Sequence, residues 1–171
     1  MSVSKKFAAV TGAGSGIGRA AAIALAQAGF TVALLGRTEA SLRETQDAIR
    51  TAGGDAHAFP ADVTDEASVD HAFAQIAQQF GRLDVLFNNA GRNAPPVSLD
   101  EYEFDVWNSV VATNLTGVFL CARAAWRLMK AQSPQGGRII NNGSISAHAP
   151  RPDTIAYTAT KHAVTGITRS L

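Results

Sequence analysis

Cysteine is nearly absent from this sequence: Cys121 is the only one among 171 residues. No internal disulfide can form, which suits a reducing compartment and a cytoplasmic setting. Net charge is scarce as well. Fifteen Lys and Arg against 14 Asp and Glu leave a formal charge of +1. That balance provides no basic field for nucleic acid and no acidic field of the opposite kind. Long apolar runs are missing too. Met1 to Lys6 leads into an apolar stretch too short for a secretory signal, and no segment is long enough to span a bilayer. Metal-ligand spacing is also lacking, since His57, His71, His148 and His162 stand apart from one another. Internal repeats, low-complexity tracts and domain linkers do not occur. What is there is apolar matter, 46% of the chain, enough for a real core. Residues 1–171 therefore read as a single soluble domain.

The apolar residues fall into short runs separated by helical patterns. Residues 6–11, with Phe7, Ala8, Ala9 and Val10, predict a buried parallel strand ended by glycines. A helix over 17–28 follows and stops at Gly29. Strands are predicted over 31–35, 56–61, 83–88 and 138–142. Between them lie a helix from Thr38 to Ala52, one from Asp65 or Glu66 to Gly81, and one long helical region over 102–132. Asp153 or Thr154 caps a last helix. Strict alternation of this kind predicts an α/β fold, a doubly wound parallel sheet of five strands in the order 3-2-1-4-5.

The last helix carries Tyr157-Thr158-Ala159-Thr160-Lys161. Helical spacing puts Tyr157 and Lys161 one turn apart on the same face. A cation within a few ångströms favours a phenolate, and a tyrosine so tuned passes protons to or from a substrate oxygen near neutral pH. Ser144 lies thirteen positions upstream of Tyr157, at a strand's end, where its hydroxyl can hold that oxygen. Taken alone, the Tyr–Lys pair is also what an ordinary helix surface shows.

Thr11-Gly12-Ala13-Gly14-Ser15-Gly16-Ile17-Gly18 joins the first strand to the first helix. The strict G-x-G-x-x-G pattern fails at Ile17, and T-G-x-x-x-G-x-G fits. Glycines let a backbone approach a pyrophosphate, and the helix N-terminus favours the anion. Asp62-Val63 ends the third strand, where an acidic side chain can accept from an adenine amino group; equally, Asp62 can cap the next helix. Asn88-Asn89-Ala90-Gly91 ends the fourth strand. Small residues there let a flat cofactor pass, the amides can tie neighbouring strands together, and the same residues also suit a turn.

Together, Thr11 to Gly18, Asn88 to Gly91, Asn114, Ser144, Tyr157 and Lys161 resemble the short-chain dehydrogenase/reductase family, in order and spacing, over the whole chain. The resemblance implies a Rossmann-like fold and an oxidoreductase that moves a hydride between a nicotinamide cofactor and the carbonyl or secondary alcohol of a small molecule. It implies that Tyr157 is the general acid/base and that Ser144 orients the substrate oxygen. Lys161 would bind the nicotinamide ribose and favour the Tyr157 phenolate. Asn114 would hold a water that links Lys161 to solvent, and Ile17 would lie near the nicotinamide. An asparagine inside a helical run is not explained by propensity.

The end of the second strand bears on the cofactor. An NAD site usually places Asp or Glu there. Gly36 occupies that position, and Arg37 beside it can fork onto a 2′-phosphate. NADP(H) is thus favoured over NAD(H), although Ser15 is neutral where many NADP(H)-preferring relatives carry a basic residue. Glu39 is read as complementing the next helix's dipole. Arg92, Asn93 and Ala94, and Ser146, Ala147, His148, Pro150 and Arg151, are the candidate substrate contacts; Arg92 or Arg151 would hold a carboxylate if the substrate has one. Phe119, Trp107 and Trp126 read as core or interface, and Cys121 as buried. A homo-oligomer, dimer or tetramer, is expected through the helices around 113–130 and 155–171. The last helix shows no stop signal, and the family continues with two more strands, so the chain is expected to be part of a longer enzyme. A nucleotide-binding scaffold without turnover is the alternative.

Overall fold

The computed structural model describes residues 5–171. Five strands alternate with helices: β1 (Lys6–Thr11), α1 (Gly16–Gln27), β2 (Phe30–Gly36), α2 (Glu39–Thr51), β3 (Asp55–Pro60), α3 (Glu66–Phe80), β4 (Val85–Asn88), α4 (Phe104–Val111), α5 (Gly117–Ala131), β5 (Arg138–Asn141) and α6 (Ile155–Ser170). The strands form one parallel sheet in the order β3-β2-β1-β4-β5, as the alternation predicts. Val10 stands in register with Leu34 on one side and Phe87 on the other, and Phe87 with Ile140.

Both faces of the sheet are covered, which is why the strands are apolar rather than alternating. On one face Ala33, Leu35 and Leu86 pack with Phe73, Ile76 and Cys121 of α3 and α5. On the other, Val10, Val32 and Leu34 pack with Ala22, Leu42 and Ile49 of α1 and α2. Cys121 is buried, as expected, and burial pushes its thiol up to about 12.

Local chemistry sets the ends of the elements. Asp65 accepts from the Ala67 amide at 3.0 Å and caps α3, whose far end closes at Gly81 with φ of 72°. Thr38 and Thr154 hold the N-cap positions of α2 and α6 but make no side-chain capping bond. The Thr38 carbonyl instead accepts from Ser41 Oγ at 2.8 Å. Strand β4 starts at Val85 rather than Leu83, whose amide donates to Gln132 Oε1 at 2.8 Å and whose carbonyl accepts from Gln132 Nε2 at 3.0 Å.

The long helical region expected over 102–132 is present, unbroken over 104–131, but it is not regular. A short 3₁₀ turn at Leu99–Glu101 precedes α4, and a π turn at Ala112–Thr116 separates α4 from α5. The wider turn carries Asn114 inward, where it is 1% exposed. Its side chain saturates the Arg92 peptide, accepting from Arg92 N at 2.8 Å and donating to Arg92 O at 2.9 Å. A tertiary partner of this kind outweighs helix regularity at a single turn.

Candidate active site

The predicted site residues stand where an open parallel sheet places ligands, past the carboxyl ends of its strands. The turn from Gly12 to Ser15 links β1 to α1. Arg37 follows β2, Asp62 and Val63 follow β3, Asn89 to Gly91 follow β4, and Ser144 follows β5. Tyr157 and Lys161 lie on α6, and Asn114 on the π turn.

A cleft of about 500 Å³ collects Gly12, Ser15, Arg37, Asp62, Val63, Ala90 and Gly91. It adds Thr38, Ser41 and Thr113, which sequence reasoning missed because nothing but their place in the fold brings them there. Gly16, Ile17, Gly18, Asn89 and the α6 residues are not part of its wall. A larger groove of about 740 Å³ runs along the free edge of β5, lined by Trp126, Ile139 and Leu171, and contains none of the predicted site residues.

The glycine turn is shaped by close approach. Gly18 lies against the Gly12 carbonyl, where a Cβ would come within 2.1 Å of the oxygen. Gly12 has φ of 67°, and Asn89 Nδ2 fills the space beside it. Ser15 is the N-cap of α1 and makes no side-chain capping bond, so the first amides of that helix keep their donors for an anion. Thr11 Oγ1 accepts from the Asn89 and Ala90 amides at 3.0 and 2.9 Å, and fixes the β4 loop against the turn. The Asn89 side chain donates to Thr11 O and accepts from Asn142 Nδ2, and it does not line the cleft.

Asp62 does not cap α3; Asp65 does. Asp62 Oδ1 accepts from Thr64 N at 2.9 Å and Thr64 Oγ1 at 2.8 Å, a tight local turn at the cleft wall. Glu39 sits in the first turn of α2 and accepts from Arg43 Nε at 3.0 Å. Arg37 is exposed, and no carboxylate lies within ion-pair distance of it among the described residues.

On α6 the spacing does what the sequence predicts. Lys161 Nζ stands 5.5 Å from the Tyr157 ring centroid. Lys161 is only 7% exposed, and its ammonium donates to the Asn142 carbonyl at 2.7 Å. No carboxylate pairs with it among the described residues, and burial lowers its pKa from the ordinary lysine value. Ser144 Oγ accepts from Ser146 N at 3.1 Å, which leaves its O–H to donate elsewhere. The loops after β4 and β5 meet where Val97 N donates to Asp153 O at 3.0 Å. Asp153 holds a left-handed φ of 59° there.

A glycine turn at a helix N-terminus, in a doubly wound sheet, defines a Rossmann-like dinucleotide fold. The short chain dehydrogenase family model matches residues 6–171, and the chain belongs to that family. It is 40% identical over 167 residues to a 3beta-hydroxysteroid dehydrogenase of Mediterraneibacter gnavus, with 98% of this chain and 59% of the relative covered. It is 39% identical to the cis-4-hydroxycyclohexanecarboxylate dehydrogenase of Sinomonas cyclohexanicum, covering 97% of this chain and 66% of that one. Among solved structures, an NAD+-bound xylitol dehydrogenase superposes with a TM-score of 0.92 at 33% identity, over 96% of this chain and 63% of the other. The chain thus spans roughly 60% of the length of its relatives.

Proposed function

We propose that this chain carries the nucleotide site and the acid/base group of an oxidoreductase acting on a secondary alcohol or its ketone, with NADP(H) preferred. The observation that carries the reading is Lys161, a buried ammonium without a carboxylate, one turn from Tyr157 and 5.5 Å from its ring. The residues present fit a dinucleotide: the orphan amides of α1, the cleft between the strand ends, and the unpaired Arg37 at its rim. The cofactor, when bound, supplies or accepts the hydride.

The chain supplies orientation and the proton. In the reducing direction Tyr157 gives its phenolic proton to the substrate oxygen, while the Ser144 hydroxyl donates to the same oxygen. Lys161 spends one of its three donors on Asn142 and keeps two for ribose hydroxyls. Asn114 locks the π turn to the loop after β4, beside the place where a relay water would join Lys161 to solvent. Ile17, exposed at the start of α1, is the apolar contact offered to the nicotinamide.

Arg37 supports NADP(H) because it can meet a 2′-phosphate with a forked guanidinium. The NAD+-bound neighbour keeps NAD(H) as the second reading. The half-exposed Phe119 and Trp126 on α5 support a homo-oligomer, and the single buried thiol suits a cytoplasmic enzyme. The length of the relatives keeps a nucleotide-binding form without turnover in view. The experiment that separates these readings follows NADPH and NADH oxidation at 340 nm across a carbonyl panel, for the protein and for Tyr157→Phe. Turnover that falls by about 10²-fold or more in the variant, with dinucleotide affinity kept, bears out the assignment. Dinucleotide binding without turnover on any carbonyl selects the scaffold.

A further inference from the structure

The carbonyl that holds Lys161 belongs to a residue with an unusual set of contacts. Asn142 lies one position past β5, and its amide continues the sheet by donating to Asn88 O at 2.9 Å. Its side chain reaches the next residue along the same strand end: Nδ2 donates to Asn89 Oδ1 at 3.0 Å. Asn89 Nδ2 in turn donates to Thr11 O at 3.0 Å, in the space that Gly12 and Gly18 leave open. One continuous chain of hydrogen bonds therefore runs from the Lys161 ammonium through Asn142 and Asn89 to the glycine turn, across the ends of β5, β4 and β1. Asn142 is the member of that chain that touches the lysine: its carbonyl accepts from Lys161, and its side-chain amide donates to Asn89, which carries the chain on to Thr11.

We propose that Asn142 is a positioning residue: its side-chain amide fixes the carbonyl on which Lys161 rests and locks that carbonyl to the glycine turn. The lysine and the nucleotide seat are then set by one rigid strut rather than by two independent loops. The physical case is strong for a buried lysine. An ammonium taken out of water without a counter-ion depends on whatever dipole it meets, and here the acceptor is a single carbonyl. The group facing it from its own helix is the Tyr157 ring, and no carboxylate lies within ion-pair distance among the described residues. The strut deepens the proposed oxidoreductase reading and rests on it only for its catalytic consequence.

The test needs no substrate. With lysine labelled at 13Cε, the Lys161 resonance is titrated in the unmodified protein, in Asn142→Leu and in Asn142→Asp. Leucine keeps the volume and removes the donor. In that variant the ammonium is expected to reach water, so its titration midpoint rises toward the ordinary lysine value of 10.5. In Asn142→Asp the ionised carboxylate opposes Asn89 Oδ1, whereas the protonated acid can donate to it. The native Lys161 resonance is therefore expected to return on acidification. In the unmodified protein, which needs no variant to fold, the Asn142 Nδ2 protons should exchange slowly with solvent. Solvent-rate exchange of those protons, or a Lys161 midpoint unchanged in both variants, overturns the proposal. Should the unmodified protein reduce no carbonyl, the oxidoreductase reading fails while the lysine titration still decides the strut. If it does turn over, Asn142→Leu should lose about tenfold in kcat with substrate KM kept. Equal loss in both parameters would mark a general structural defect instead.

Discussion

Arg37 and Lys161 are two cations with opposite surroundings, and each yields a prediction. Arg37 is exposed at the cleft and makes no ion pair among the described residues, which leaves its guanidinium free for the proposed 2′-phosphate. Arg37→Asp should reverse or abolish a preference for NADP(H). A charge-assisted contact to the 2′-phosphate is worth about 1.5–3 kcal/mol, which dissociation constants for both dinucleotides would reveal. Equal constants in the unmodified protein would refute the preference. Lys161 is the reverse case, a charge that folding takes out of water. Burial lowers its pKa from the ordinary lysine value of 10.5. Between the lowered value and 10.5 the unfolded chain binds more protons than the folded one, so this group makes stability rise with pH across that window. Lys161→Met removes the buried charge. It should raise the melting temperature at neutral pH by roughly 2–4 °C, about 1 kcal/mol, with the gain shrinking as pH rises through that window and gone above 10.5. Calorimetry at the two pH values checks this, and a lower melting temperature for the variant at neutral pH would contradict it. The placement of Tyr157 and Lys161 one turn apart on α6, and of Arg37 just past β2, was legible in the sequence because it depends on short spacing. Asn142 was not, because its partners Asn88, Asn89 and Lys161 come from the end of β4 and from α6, and no local pattern announces them.

The stretch from Leu99 to Ala131 shows what is lost when an element is read from periodicity alone. Apolar spacing correctly predicts helix, but the π turn at Ala112–Thr116 comes from Asn114 reaching the peptide of Arg92, twenty-two residues earlier. Propensity could mark Asn114 as out of place without saying what it reaches. Asn114→Leu should strand the Arg92 amide and carbonyl. We expect a loss of about 2–3 kcal/mol in urea unfolding, with the midpoint moving and the slope unchanged. A change within about 0.5 kcal/mol would mean that the loop finds water instead. Helix ends were more legible. Asp65 and Gly81 carry their roles in residue type, whereas Thr38 and Thr154 hold the expected places without making the expected bond.

The sheet order follows from alternation, because short parallel strands joined by helices have few ways to wind. The assembly of whole molecules is less legible, since the sequence shows only that α5 is apolar around more than one face. In the structure Leu120, Cys121 and Ala124 of that helix enter the core, while Phe119 is 50% exposed and stacks beneath the Arg123 guanidinium at 5.5 Å. If these faces join copies of the chain, sedimentation at micromolar concentration should show a dimer or tetramer, and Phe119→Glu should shift it to monomer. A monomer throughout would leave the exposed face without that role. Trp126 lies two turns further along the same side of that helix. It is 47% exposed and lines the groove along the free edge of β5, which contains no residue of the glycine turn. That placement makes it an optical reporter. With Trp107→Phe removing the second indole, emission from Trp126 should stay red-shifted and readily quenched by iodide while the edge of β5 is open, and should move to the blue when anything covers it.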